Sequence, residues 1–233
     1  MSDALGDRIK RYEAAYNHKL TPRSPVIIRV DGRAFHTYTK GLQTPFDQKL
    51  MDAMVYAAQR TAEEMQGFKL GYVQSDEVSF LITDYDALDT QGWFGYELNK
   101  LVSLSASAFT AHFNRLTTTP CYFSPLPCEV AVNRLGMFDS RAFNVPVEDV
   151  PNVFIWRQRD WERNSLQMLA RTCFSHRQLQ NKGRREIHDM LHEIGVNWAA
   201  LTPREKNGTF ILRDKSLVHD KADYEMIRQW IEV

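Results

Sequence analysis

Val26-Ile27-Ile28-Arg29-Val30-Asp31-Gly32 is the stretch that decides the fold. Four β-branched residues around one arginine favour extended backbone, and Asp-Gly then closes the run as a turn dipeptide. Downstream, Asp47 is an N-cap for a helix through about Met65, with Leu50, Met54, Ala57, Ala58 and Thr61 at helical spacing. β character resumes from Phe68 to Tyr72, Gln74-Ser75-Asp76-Glu77 turns the chain, and Val78 to Thr83 is a second strand, so the two form a hairpin. Tyr96 to Leu116 reads as a helix in which Ser103, Ser105, Ala106, Ser107 and Ala108 permit close packing. Further strand signals lie near Glu129 to Asn133 and at Arg141 to Val145. Strand, helix, strand, hairpin strand, helix, strand is the order of a split β-α-β unit. The class is therefore α+β: a ferredoxin-like antiparallel sheet with helices on one face.

Outward from this centre the signals are helical. Leu5 to Tyr16 reads as a short amphipathic helix with Ile9, Tyr12 and Tyr16 on one stripe, ended by Pro22 and Pro25. Asn164 to Cys173 and Arg184 to Ile194 are helical, with Gly195 as a stop, and Thr209 to Leu212 is strand-like. The chain divides into a sheet-bearing region, residues 1–150, and a mainly helical, basic region, residues 151–233, packed on the first or continuous with it as one domain.

Composition narrows the class without naming a function. Of 233 residues, 43% are hydrophobic and 25% charged, so a core is available and a disordered chain is excluded. No apolar run approaches the roughly 18 residues of a membrane span. Met1 to Lys10 lacks the apolar stretch of a secretory signal, so the expectation is a cytoplasmic protein with no membrane partner. Cys121, Cys128 and Cys173 are too few and too odd in number for a disulfide framework; reduced thiols are expected, with Cys121–Cys128 the one conceivable bridge.

Formal net charge is zero, but it is unevenly spread. Arg157, Arg159, Arg163, Arg171, Arg177, Lys182, Arg184 and Arg185 face only Asp160 and Glu162 in their stretch, a net of +6. Such a run is either a solvated helix face or a phosphate-binding surface. Trp156-Arg157-Gln158-Arg159-Asp160-Trp161 within it either stacks bases or is core with Trp161 at a helix edge; the core reading is preferred for both tryptophans.

Two acidic groups fall at strand ends that this topology makes neighbours: Asp31 after the first strand, and Asp76-Glu77 at the hairpin turn. Hard oxygen ligands of this kind suit Mg²⁺, and two such ions about 4 Å apart would activate an attacking oxygen and neutralise a leaving pyrophosphate. Gly32 would let backbone approach metal and phosphate with no Cβ in the way. Asp-Gly and Ser-Asp-Glu are also ordinary turn chemistry, and spacing alone does not separate the two readings.

The wider pattern does. Val26 to His36, with Asp31-Gly32-Arg33-Ala34-Phe35-His36 at its end, followed by Pro45-Phe46-Asp47, Gln74-Ser75-Asp76-Glu77, Phe138-Asp139-Ser140-Arg141 and Trp156-Arg157-Gln158, closely resembles the tRNA(His) guanylyltransferase family over most of the chain. The resemblance implies a palm-like sheet domain. It implies metal binding by Asp31, the Gly32 carbonyl and Asp76, a supporting acid at Glu77, and nucleotide contacts from Asp31 through His36 with Ser75 and Asp76. It implies two Mg²⁺ per site, ATP, GTP and other nucleoside triphosphates as substrates, tRNA as acceptor and a homotetramer. The implied reaction activates a tRNA 5′-monophosphate with ATP or GTP; the 3′-hydroxyl of an incoming nucleotide then attacks it, and pyrophosphate is finally removed from the new end.

The sequence departs from the family at two places. Where the guanylyltransferases carry His-x-Asn-Asn after Trp-Arg-Gln, this chain has Glu162-Arg163-Asn164-Ser165. Arg163-Asn164-Ser165, Met168-Leu169-Ala170-Arg171 and Phe174-Ser175-His176 instead resemble the bacterial, archaeal and phage-type branch, which implies template-dependent 3′–5′ polymerisation that repairs tRNA 5′ ends. Thr44 stands where many relatives have a basic residue, with Lys40 and Lys100 as alternatives. On the same resemblance Arg157, Arg163, Asn164, Arg184 and Lys206, the last in Lys206-Asn207-Gly208-Thr209, are candidate tRNA contacts.

Three other functions are weighed. Strict tRNA(His) guanylylation is disfavoured by the missing histidine motif. A nucleotidyl cyclase lacks its Gly-Gly-Asp-Glu-Phe turn, and a non-catalytic RNA-binding protein has no need of the intact acidic set. Cys173, His176, His188 and His192 superficially imitate a zinc set, but surface histidines are the better reading.

Overall fold

The computed structural model describes residues 3–120, 122–123 and 133–232. Among them, six strands pair antiparallel in one sheet: β1 (Val26–Gly32), β2 (Phe68–Gln74), β3 (Glu77–Ile82), β4 (Phe138–Asn144), β5 (Thr209–Ile211) and β6 (Leu217–Val218), in the order β4-β1-β3-β2-β5-β6. Strand side chains alternate between faces, so Val26, Ile28 and Val30 enter one core while Ile27 enters another.

The first core lies under α3 (Gln48–Glu64) and α4 (Leu98–Thr117), with the short α2 (Phe35–Tyr38) adding Phe35 and Tyr38 to it. Asp47 caps α3 as expected, its Oδ1 accepting from the Leu50 amide at 2.9 Å. On α4, buried Ser105 meets Ser140 of β4 through a 2.7 Å hydroxyl pair, so the small side chain lets the helix sit close on the strand. These two helices share one face, as the split β-α-β reading requires.

The other face is covered from residues 150 onward. Helix α5 (Val150–Cys173) and helix α9 (Tyr224–Glu232) bury Phe154 and Ile227 against Ile27, Leu70, Tyr72, Leu81 and Phe210. Between them come α6 (His176–Leu179), α7 (Arg184–Glu193) and α8 (Pro203–Asn207). The division near residue 150 does not divide the sheet, since β5 and β6 extend it beyond β2. Helix α5 is far longer than the Asn164 to Cys173 segment read from sequence. Pro151 falls in its first turn, where a proline forfeits no helical hydrogen bond.

At the other end, α1 (Ala4–Ala14) is capped by Asp3, which accepts from the Gly6 amide at 2.9 Å. None of its residues is buried, and the expected stripe of Ile9, Tyr12 and Tyr16 lies open to solvent. Apart from Asn133, the strand near Glu129 to Asn133 lies outside the described residues, as does a Cys121–Cys128 bridge. Among the described residues no helix is long and apolar enough to cross a membrane.

Candidate active site

Strand register assembles the acidic group. Asp31 pairs across the sheet with Glu77 of β3 on one side and with Asp139 of β4 on the other. The Gly32 amide donates to the Asp76 carbonyl at 2.9 Å, which ties the end of β1 to the two-residue β2–β3 turn. Ser75 takes a left-handed φ of 49° in that turn. Asp31, Gly32, Ala34, Phe35, His36, Ser75 and Asp76 thereby line a single cleft of about 650 Å³, together with Thr44, Phe46 and Asp47. That volume is in the range of small-molecule sites. Gly32 is required sterically: a Cβ there would lie 2.3 Å from the Phe35 ring, which fills the core beneath.

Both aspartates are electrostatically unsettled. Burial raises the Asp31 carboxyl above its ordinary range, the Glu77 charge adds to this, and Arg141 opposes it from 3.6 Å. Burial likewise raises Asp76. The Ser75 side chain and the local backbone oppose that shift by hydrogen bonding, while Asp31 and Glu77 reinforce it. Two carboxylates that would gain from a nearby cation therefore face the same space.

Glu77 differs. Its Oε2 receives Arg29 Nη2 at 2.6 Å and Arg157 Nη2 at 2.8 Å, and Arg157 Nε reaches Oε1 at 2.6 Å. Expected within the acidic group, it is instead buried, absent from the cleft wall, and fastens β1, β3 and α5 together. Arg29 accordingly forms a strand-borne ion pair within the sheet.

Other expected residues sit elsewhere. Arg33 is exposed and outside the cleft wall, with its amide bonded to the Met137 carbonyl at 2.8 Å. Arg157 is 6% exposed, and its bonds to Glu77 and Asp160 remove it from the candidate tRNA contacts. Arg163 and Asn164 are exposed and both bond Asp160, Arg184 lies 3.7 Å from Glu162, and Lys206 Nζ donates to the Ala199 carbonyl at 2.9 Å. Neither Lys40 nor Lys100 lines the cleft; Lys100 pairs with Glu97 at 3.1 Å.

The two tryptophans also part. Trp161 is buried beside Phe46, whereas Trp156 is 54% exposed, with the Arg157 guanidinium 4.5 Å and that of Arg29 5.5 Å from its ring centre. Cys173 is an exposed free thiol and His188 packs edge-on to Trp198. Among the described residues no three His, Cys, Asp or Glu side chains converge as a zinc set would.

Trp161, Met168 and Arg171 of α5 also wall the cleft, a role the sequence does not disclose. Their i, i+7, i+10 spacing is one helix face, a signal that exists only once the whole of α5 is known to be helical.

An antiparallel sheet that gathers two carboxylates held above their ordinary range and a strand-end glycine at a nucleotide-sized cleft fits a nucleotidyltransferase. The chain belongs to the Thg1, tRNAHis guanylyltransferase, family, whose profile matches residues 6–146. It is 41% identical to a bacterial tRNA(His) guanylyltransferase (Thg1)-like protein solved in complex with ATP, with a TM-score of 0.90 over 99% of this chain and 100% of that one. The corresponding GTP complex gives 38% identity and a TM-score of 0.78, covering 99% and 98% of the two chains. The tRNA(His) guanylyltransferase of Schizosaccharomyces pombe is 27% identical over 228 residues, 92% of this chain and 82% of the relative. The resemblance drawn from the strand and turn motifs is thus borne out, and so is the α+β class.

Proposed function

We propose that this nucleotidyltransferase adds nucleotides in the 3′–5′ direction to the 5′ end of tRNA, copying the opposite strand, and so repairs truncated 5′ ends. The observation that carries this reading is the β1–β3 pairing, which brings Asp31, the Gly32 backbone and Asp76 into one cleft. Similarity to a bacterial protein solved with ATP and with GTP supports nucleotides as the occupants.

Asp31, Asp76 and the Gly32 carbonyl would hold Mg²⁺, two ions per site. Their fit rests on hard oxygen donors lining one cleft and on two carboxyls whose burial makes a cation welcome. Such ions supply activation of the attacking hydroxyl and neutralise the departing pyrophosphate. Asp31, Gly32, Ala34, Phe35 and His36, with Ser75, hold the nucleotide. Glu77, fixed by Arg29 and Arg157, keeps the strand ends aligned. The tRNA 5′-monophosphate is joined to a nucleotide from ATP or GTP with loss of pyrophosphate. The 3′-hydroxyl of the incoming triphosphate then attacks that activated phosphate and displaces the activating nucleotide. Positioning and electrostatics suffice for this chemistry, and no covalent nucleophile is required.

Strict recognition of tRNA(His) is disfavoured by what replaces the histidine motif. Glu162 is buried and paired with Lys221 at 2.6 Å, and buried Ser165 accepts from Trp198 Nε1 at 3.0 Å. Two of the four positions therefore hold the helix to its neighbours and cannot read an RNA. Exposed Arg163, Asn164 and Arg184, with Lys206 beyond them, would contact the tRNA backbone. Assembly as a homotetramer is part of the same proposal.

The test uses Mg²⁺, labelled nucleotides and a 5′-monophosphorylated tRNA lacking its first nucleotide. Extension that follows the identity of the opposite base supports repair. Guanylate added regardless of that base would support strict guanylylation, a cyclic product from nucleotide alone a cyclase, and RNA retention without turnover a silent binder.

A further inference from the structure

The cleft that holds Asp31 and Asp76 is acidic, yet its proposed occupant carries a polyanionic triphosphate. Asp47 adds a third carboxylate to the lining, although its oxygens already accept from the Leu50 amide at 2.9 Å and the Gln43 amide at 3.0 Å. The proposed Mg²⁺ would be shared with these carboxylates, so the triphosphate oxygens beyond their reach need positive charge from the wall. Among the described residues the wall offers His36 and one permanent cation, Arg171, in the last turn of α5.

Arg171 and Arg159 are the arginines of this helix with no partner among the described residues, and of the two only Arg171 walls the cleft, Arg159 lining a separate hollow with Trp156 and Lys221. Arg157 is held by Glu77 and Asp160, and Arg163 by Asp160. Arg171 is exposed and makes no hydrogen bond or ion pair with any described residue. The helix also positions it: Trp161 and Met168, on the same face, pack into the same wall, and buried Leu169 and Ala170 anchor the turn from which it projects. An unpartnered guanidinium carried by a packed helix over an acidic cleft is already arranged for a phosphate, with no internal pair to break first.

We infer that Arg171 binds the triphosphate of the nucleotide in this cleft, supplying from α5 the positive charge that the β1 and β2–β3 side of the site lacks. The inference rests on the cleft being the nucleotide site and names the residue that selects triphosphate there. Thr44 lines the same cleft from another segment, so a lysine at that position would supply charge independently of α5.

The experiment measures equilibrium binding of ATP and of adenosine to the wild-type chain and to R171Q, R171K and the double variant R171Q/T44K, with tRNA affinity in parallel. Expected are an ATP dissociation constant raised about tenfold in R171Q, unchanged adenosine binding, and unchanged tRNA binding. R171K should fall between wild type and R171Q, and T44K should restore ATP affinity to R171Q. Unchanged ATP affinity in R171Q overturns the inference. So does an equal weakening of ATP and adenosine, which would mean altered cleft shape, or a loss confined to tRNA, which would assign Arg171 to the RNA surface. A wild-type chain that binds neither ATP nor adenosine would overturn the nucleotide site itself, a result distinct from failure at Arg171. Since Arg171 is exposed and unpaired, thermal unfolding of R171Q should match wild type.

Discussion

At Asp31 and Asp76 the chemistry of the site and the stability of the fold pull in opposite directions. Both carboxyls are raised by burial, so the folded chain holds these protons more tightly than the unfolded chain. Stability from this source is fullest in acid and falls as the pH climbs from the ordinary carboxylate range through the raised values. In metal-free buffer at neutral pH, Asp31→Asn or Asp76→Asn should therefore raise Tm, with the gain shrinking toward acid. Added Mg²⁺ should raise Tm for the wild type more than for either variant. A lower Tm for both variants at neutral pH would contradict the electrostatic account. Asp31→Ala or Asp76→Ala should abolish nucleotide addition while circular dichroism stays unchanged; near-normal rates in both would remove the metal assignment. These residues are legible in the sequence because a strand end and a turn are local signals. The role of Glu77 is not, because its partner Arg157 lies eighty positions away on another element.

Elements carry the next level of constraint, and α5 carries most of it. Trp156 and Trp161 are five positions apart, a rotation of about 140° around a helix, so one enters the core as the other faces out. Sequence alone gives that stretch no helical phase, and without a phase both tryptophans read as core. Arg157 projects between them into the sheet and meets Glu77. Removing it leaves a buried carboxylate short of a partner, so Arg157→Leu should lower unfolding free energy by about 3–5 kcal/mol in urea titration. Combining it with Glu77→Gln should cost less than the sum of the two. Equal and additive losses would mean the pair is not coupled. The outer face of this region behaves differently, since Arg163 and Arg184 are exposed and only partly neutralised by Asp160 and Glu162. Neutralising both should weaken tRNA binding and flatten the plot of log affinity against log salt by about 1 for each phosphate that no longer has a cationic partner. An unchanged salt slope would assign that face to solvent.

For the molecule as a whole, β1 to β4 are legible from β-branched runs and turn dipeptides, and Thr209 to Leu212 reads as a strand, but the place of β5 beside β2 is not legible. β5 is three residues long and pairs with β2 across more than a hundred positions, Val73 opposite Thr209. It begins after Gly208, at φ 76°, where a Cβ would lie 2.8 Å from the Val73 carbonyl. No local pattern reports such an approach. The amino-terminal helix presents the converse case, an amphipathic pattern whose apolar side finds no cover among the described residues. Leu5, Ile9, Tyr12 and Tyr16 are 46–74% exposed, on or just beyond an element with no buried residue. A short helix with so little internal packing has little to hold it in place unless something outside the chain covers that stripe. If a homotetramer supplies the cover, charge on the stripe should dissociate it: Ile9→Glu with Tyr12→Glu should lower the mass seen by light scattering, with the sheet's unfolding transition preserved. Two chains of identical solution mass, wild type and variant, would show that this stripe is not an interface between subunits.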